Sequence, residues 1–155
     1  MAESQASGKA RAQCREIMTT NVTSVGPIAP IREAAAMMRD GDIGSLPVVE
    51  NGRLVGIVTD RDIVVRAIAE GADASTAVST AMTADVFSVK PDDFVFEAIR
   101  LMGDKQVRRI PVVSDDGKLA GIIAMADIAL EVEDEREIAE ALEEISSGSA
   151  FWSKK

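Results

Sequence analysis

Four consecutive polar residues interrupt an apolar run near the middle of the chain. Gly56-Ile57-Val58 leads into Thr59-Asp60-Arg61-Asp62, and the apolar run resumes at Ile63. A hydroxyl followed three residues later by a carboxylate is typical of a helix N-terminus, where each side chain accepts a hydrogen bond from the other residue's backbone N–H. The same oxygens can also accept hydrogen bonds from a polar ligand. The segment is therefore either a helix cap or part of a binding site, and the two roles are compatible.

A pair of arginines, Arg108 and Arg109, is a second group that could bind a ligand. The net charge of −9 and the pI of about 4.5 disfavour binding to nucleic acid or to anionic membranes. A local arginine pair can still attract a small anion, because the planar guanidinium binds phosphate bidentately. A solvated pair of loop charges is the alternative interpretation.

Several kinds of site are excluded by composition. The 155 residues include no histidine and one cysteine, Cys14. A disulfide within the chain, a Cys/His zinc site and a Ser-His or Cys-His nucleophilic pair therefore cannot form. We expect a non-catalytic protein with no metal site, and we interpret Cys14 as a small residue on a short leading helix. Because no segment resembles a signal peptide or a membrane span of ~18 apolar residues, we expect a cytoplasmic location.

The chain contains two copies of one sequence unit. Residues 18–27 (MTTNVTSVGP) align with residues 82–91 (MTADVFSVKP) at an offset of 64, which becomes 65 after a one-residue insertion and then aligns Asp62 with Asp127. The predicted divisions are a flexible leader at 1–14, a first repeat at 15–71, a linker at 72–78, a second repeat at 79–133, and an acidic helix with a tail at 134–155.

Each repeat has the pattern of a strand, a helix, two strands and a second helix. In the first repeat, residues 22–25 alternate as a strand does, Pro30 begins a helix, and Asn51-Gly52 predicts a hairpin turn. Residues 60–70 form the second predicted helix. A small three-stranded sheet buries little by itself, so we expect the two repeats to pack sheet to sheet. The predicted fold class is α/β (α+β), with each repeat β-α-β-β-α.

The repeated motifs resemble those of cystathionine-beta-synthase (CBS) domains. They are M-T-x-x-V-x-S-V, then L-P-V-V or I-P-V-V, then G-h-h-T-x-x-D-I, where h is apolar. The resemblance covers residues 15–133 and is to bacterial tandem CBS-pair proteins without an attached catalytic or transporter domain. It implies pseudo-two-fold packing of the repeats and a homodimer shaped as a flat disc of four repeats. It also implies regulatory binding of AMP, ADP, ATP or S-adenosylmethionine between the repeats.

The resemblance assigns ligand contacts to particular residues. Asp62 is expected to accept hydrogen bonds from the ribose hydroxyls, with Thr59 beside it and Ile57 beneath the base. The remaining contacts of this cleft are Val86, Phe87 and Val107 on the facing wall and Arg108 and Arg109 at the phosphate.

The second cleft implied by the resemblance has a poorer set of residues. They are Asp127 and Ile122, faced by Val22, Thr23, Ile43, Gly44 and Ser45. Ala124 and Ala126 stand where the first repeat has Thr59 and Arg61. We therefore expect the Asp62 cleft to bind better and the Asp127 cleft to be weak, empty or dependent on the arginine pair.

Two functions are compatible with this pattern. The first is a regulatory module that binds an adenosyl ligand and signals by changing the dimer's shape or its affinity for another protein. The second is a ligand-free structural or stress-associated interaction dimer with vestigial clefts. No cofactor is expected to be required. The tail carries the only tryptophan, in Phe151-Trp152, which either docks on a partner or is a disordered end.

Overall fold

The computed structural model describes residues 12–131, 139–140 and 142–145. Its elements are α1 (Cys14–Ile17), α2 (Ile31–Gly41), β1 (Ser45–Glu50), β2 (Arg53–Thr59), α3 (Asp60–Asp62, continued by Ile63–Ile68), α4 (Val78–Ala81), α5 (Val95–Lys105), β3 (Arg109–Val113), β4 (Leu119–Ala124) and α6 (Met125–Glu131). Within the predicted acidic helix, residues 139–140 and 142–145 are helical. Most of the predicted leader and the Phe151-Trp152 tail lie outside the described residues.

Each repeat is built on an antiparallel β-hairpin. In the first, Ser45 pairs with Thr59 and Glu50 pairs with Arg53. The turn between the strands has positive φ angles at Asn51 (53°) and Gly52 (81°), which a tight two-residue hairpin turn requires. Strands β3 and β4 form the second two-stranded sheet. The predicted α/β class is confirmed.

Each sheet has two strands, where the sequence predicted three. Segment 22–25 contributes a single parallel bridge, between Val25 and Val48. The Val25 N–H donates to the Pro47 carbonyl at 3.0 Å, and the Val49 N–H donates to the Val25 carbonyl at 2.9 Å. Val89 makes the equivalent bridge to Val112. The pairing does not extend because the residue two positions later in each repeat is a proline, which has no N–H to donate.

The chain forms two compact units whose boundaries differ from those of the sequence repeats. Unit 1 is Met1–Val22, Phe87–Asp115 and Ala120–Lys155, and unit 2 is Thr23–Val86 and Asp116–Leu119. Helix α1 therefore belongs with the hairpin of the second repeat, and α4 with the hairpin of the first.

The core of each unit is aliphatic. Leu46, Val48 and Val58 are fully buried in unit 2, and Ile110 and Ile123 have the corresponding place in unit 1. The side chain of Cys14 is also fully buried in unit 1. Burial, with the nearby charges of two acidic residues, raises the pKa of the Cys14 thiol to about 12, so the thiol is protonated and unreactive at neutral pH.

A glycine in each hairpin allows the chain to approach closely. A Cβ atom at Gly121 would lie 2.7 Å from the Thr19 carbonyl oxygen and 2.8 Å from Met18 Sδ. At Gly56 the corresponding distances, to Thr83 and Met82, are 2.9 Å and 2.7 Å. The Met-Thr pair and the glycine recur in both repeats because each pair packs against the glycine of the same unit.

Gly121→Ala should destabilise the protein by about 1–3 kcal/mol, because the new methyl group must displace the Thr19 carbonyl. The measurement is the urea denaturation midpoint. Gly26→Ala is the matched control, since a Cβ atom there meets nothing within 4 Å. Equal midpoints for Gly121→Ala and the unmodified protein would contradict this explanation of the motif.

Candidate ligand site

The Thr59–Asp62 segment forms a capping box at the start of α3. Thr59 Oγ1 accepts a hydrogen bond from the Asp62 N–H at 3.0 Å, and Asp62 Oδ2 accepts one from the Thr59 N–H at 3.0 Å. Thr59 has the extended backbone of an N-cap residue, with φ −114° and ψ 162°. The capping interpretation is confirmed.

The cap leaves part of the Asp62 carboxylate available. Oδ1 takes no part in the cap and lies 3.7 Å from Arg66 Nε, and the Asp62 side chain is 15% exposed. An ionised carboxylate has about four sites that can accept hydrogen bonds, so a capped Asp62 can still bind hydroxyl groups. Capping and ligand binding can therefore operate at the same residue.

Helix α3 departs from regular α-helical geometry after the cap. Ile63–Ile68 is π-helical, and the Ala69 N–H donates to the Val64 carbonyl, five residues earlier, at 2.9 Å. The sequence predicted an ordinary helix over 60–70. Apolar spacing could not distinguish the two forms, because buried residues three or four apart indicate only that one face packs inward.

Three residues assigned to the weaker cleft lie beside the cap in unit 2. The Asp60 N–H donates to the Gly44 carbonyl at 2.9 Å, and Ser45 pairs with Thr59 in the hairpin. A Cβ atom at Gly44 would come within 3.3 Å of Asp60 Oδ2. Ile43 precedes this pair and is partly buried. The Gly44 backbone therefore lies close against the start of α3.

Unit 1 has the same arrangement with different side chains. The Met125 N–H donates to the Arg108 carbonyl at 2.8 Å, and Arg109 begins β3. Both arginines are exposed, and Ala124 has no hydroxyl to cap α6. Within the described part of the chain, neither arginine side chain has a hydrogen bond or an ion pair, and the same is true of Asp127.

The apolar site residues divide between the two units. Phe87 is exposed and its ring centroid lies 4.2 Å from Lys105 Nζ, a cation–π contact. The unit boundaries fall inside two predicted groups, between Val22 and Thr23 and between Val86 and Phe87. The other apolar members are Ile57, Val107 and Ile122, which are partly buried or exposed. The grouping of all these residues into two clefts between the repeats stays a prediction.

Sequence reasoning missed Arg66, which lies beside Asp62 in unit 2, and Thr83, which Arg66 contacts. Arg66 Nη1 donates to the Met82 carbonyl at 3.4 Å and to Thr83 Oγ1 at 3.3 Å. The Ile57 N–H donates to the Thr83 carbonyl at 2.9 Å, and the Thr83 N–H donates to the Ile57 carbonyl at 2.8 Å. The four-residue spacing of Asp62 and Arg66 on a predicted helix could have indicated the ion pair. The contact with Thr83 joins residues seventeen positions apart and required the tertiary structure.

The described residues show no metal cluster and no membrane-spanning helix. They contain no group of three or more acidic, cysteine or histidine side chains placed to hold a metal ion. No helix among them combines the length and the apolar character needed to cross a membrane.

A family model, the CBS domain, matches the chain twice, at residues 14–68 and 78–134. This chain belongs to the CBS domain family. The CBS domain-containing protein YhcV of Bacillus subtilis is 40% identical to it over 132 residues, which cover 85% of this chain and 94% of that protein. The resemblance identified from the repeated motifs is confirmed.

Solved CBS-family structures share the fold. The crystal structure of Hypoxic Response Protein I with two coordinated zinc ions has a TM-score of 0.70 and 39% identity, covering 78% of this chain and 99% of that one. CBSX2 in complex with AMP has a TM-score of 0.68 and 26% identity, covering 76% and 93%. The CBS domain pair of MJ0100, in complex with methylthioadenosine and S-adenosyl-L-methionine, has a TM-score of 0.66 and 28% identity, covering 77% and 94%.

Thr59→Ala should lower the free energy of unfolding by about 1 kcal/mol, because the Asp62 N–H loses its acceptor. Chemical denaturation measures this loss. Thr59→Ser keeps the hydroxyl and should retain most of the stability, and Thr80→Ala, an exposed change on α4, should cause no loss.

The reverse change tests the same interaction in unit 1. Ala124→Thr places a hydroxyl three residues before Asp127, and the new cap should raise the free energy of unfolding by about 0.5–2 kcal/mol. If neither Thr59→Ala nor Ala124→Thr alters stability, the caps are energetically unimportant.

Proposed function

We propose that this protein is a non-catalytic regulatory module that binds an adenosyl ligand through Asp62. The observation that carries the proposal is the geometry of that carboxylate, which is fixed by the cap while Oδ1 takes no part in it. The complexes of CBSX2 with AMP and of the MJ0100 CBS pair with S-adenosyl-L-methionine support an adenosyl group as the ligand.

Each part of the ligand has a proposed partner. The ribose hydroxyls donate to Asp62, beside Thr59, and the base lies over Ile57. Arg108 and Arg109 bind the phosphate, where the ligand has one. The apolar wall opposite Ile57 comes from Val86, Phe87 and Val107. No step of this proposal requires a resident cofactor.

The two clefts of the proposal are unequal. Asp127 has no cap from Ala124, and within the described chain it has no cation beside it, whereas Asp62 has both. A carboxylate held in one orientation loses less conformational freedom on binding. The Asp127 cleft is therefore the weaker one. We do not propose a zinc site like that of Hypoxic Response Protein I, because this chain has no histidine.

The proposed assembly is a cytoplasmic homodimer whose shape, or affinity for a partner protein, changes with ligand. Exposed apolar side chains on α3 support a contact with a second copy. Val64 is 55% exposed, Val65 46% and Ile68 59%. Leu130, at the position of Val65 in the second repeat, is 85% exposed. Contiguous exposed apolar residues commonly mark interaction surfaces.

Ligand binding is tested by thermal denaturation and calorimetric titration with AMP, ADP, ATP and S-adenosylmethionine. At least one should bind, and a tenfold excess over Kd should add about 1.4 kcal/mol of stability. Asp62→Ala should weaken binding at least about tenfold, because hydrogen bonds to a charged group are lost. Asp127→Ala, the matched control, should have a much smaller effect.

The absence of any stabilisation at millimolar concentrations of all four compounds would overturn the proposal. That result would favour the ligand-free interaction dimer.

The assembly is tested with Val65→Glu. The unmodified protein should show twice the chain mass of 16.4 kDa by light scattering after size exclusion. In a two-fold dimer the substitution introduces a buried carboxylate on both sides, so the variant should be monomeric at low micromolar concentration. Ala35→Glu, an exposed change on α2, should remain dimeric. A dimeric Val65→Glu variant would exclude α3 from the interface.

A further inference from the structure

Arg66 lies beside the Asp62 carboxylate and donates hydrogen bonds to the Met82-Thr83 segment. Its Nε lies 3.7 Å from Asp62 Oδ1. Its Nη1 donates to the Met82 carbonyl at 3.4 Å and to Thr83 Oγ1 at 3.3 Å. A guanidinium has five N–H donors in a rigid plane, so one arginine can hold several acceptors at the same time.

The segment that Arg66 holds is an anchor of unit 2. Thr83 pairs with Ile57 through two backbone hydrogen bonds, and Met82 packs where a side chain at Gly56 would otherwise lie. The chain then continues to Val86, the last residue of this stretch of unit 2, and enters unit 1 at Phe87. Arg66 therefore connects the candidate ligand carboxylate to the point from which the chain passes between units.

The second repeat lacks this connection. The offset of 65 aligns Arg66 with Glu131, while the Met-Thr segment itself is repeated as Met18-Thr19. A carboxylate cannot donate hydrogen bonds to the Met18 carbonyl or the Thr19 hydroxyl. Because Met18-Thr19 still packs on Gly121 without an arginine, the fold of a repeat does not require one at this position. The presence of Arg66 is therefore better explained by a role specific to the first repeat.

We propose that Arg66 is a positioning residue of the Asp62 site and couples ligand binding there to the anchoring of Met82-Thr83. The inference rests on the proposed function and identifies its regulatory connection. With Oδ2 held by the cap and Oδ1 facing the guanidinium, the carboxylate is oriented before the ligand arrives. Ribose hydroxyls that fix the carboxylate also fix Arg66, so ligand binding makes the Met82-Thr83 anchor more stable.

The test combines titration with hydrogen exchange, using AMP, ADP, ATP and S-adenosylmethionine as probes. In the unmodified protein, a bound probe should slow exchange of the Thr83 backbone amide. Arg66→Gln should raise Kd about tenfold, as expected for one lost charge-assisted interaction, and should abolish the slowing at saturating ligand. Arg32→Gln makes the same charge change at an exposed position of α2 in unit 2 and should match the unmodified protein in both measurements.

Arg66→Lys separates positioning from charge alone. Lysine keeps the positive charge but lacks the planar group that reaches both acceptors, so Kd should rise only about threefold while the Thr83 amide loses its ligand-dependent slowing. If Arg66→Gln and Arg66→Lys both matched the unmodified protein in Kd and in the exchange response, the role of Arg66 would be overturned. The proposed function would be left standing. If the unmodified protein binds none of the four probes, the proposed function and the Arg66 role both fail.

Discussion

In each unit the backbone of a Met-Thr segment lies directly against a glycine, and the packing of the unit depends on this contact. Thr83 and Ile57 exchange two backbone hydrogen bonds across it, as do Thr19 and Ile122. A side chain on either glycine would meet a carbonyl oxygen inside van der Waals distance. These bonds complete the outer edge of β2 and of β4, where unpaired N–H and C=O groups would otherwise remain.

The same contact explains why neither sequence repeat completes a unit alone. Met82-Thr83 lies at the start of the second repeat but packs in unit 2, against the hairpin of the first repeat. Met18-Thr19 lies at the start of the first repeat but packs in unit 1, against the hairpin of the second. Each hairpin is thus closed by a segment from the start of the other repeat. Continuity of the chain therefore ties the two units together, and the proposed coupling through Arg66 acts on one of these closing segments.

The two helix starts that follow the hairpins share a backbone plan but differ chemically. Thr59 and Asp62 cap each other, and Arg66 lies beside the remaining oxygen. At the start of α6, Ala124 leaves Asp127 without that partner. Duplication preserved the packing positions, which every repeat needs to bury its sheet, whereas the polar groups around the aspartate diverged. The Asp62 carboxylate is consequently held by hydrogen bonding within the cap, and its counterpart Asp127 is not.

The sequence by itself determined the repeat, the α/β class and the hairpin at Asn51-Gly52, and it indicated a cap at Thr59, because each depends on local spacing or on a residue with special backbone freedom. The tertiary structure decided what depends on distant pairing. In the tertiary structure segment 22–25 makes only one bridge, and Ile63–Ile68 is π-helical. Each Met-Thr segment packs in the unit that holds the other repeat's hairpin, and Arg66 contacts Thr83. Local patterns cannot show such features, since the hydrogen-bond partners lie far apart in the chain and are selected only when the core packs.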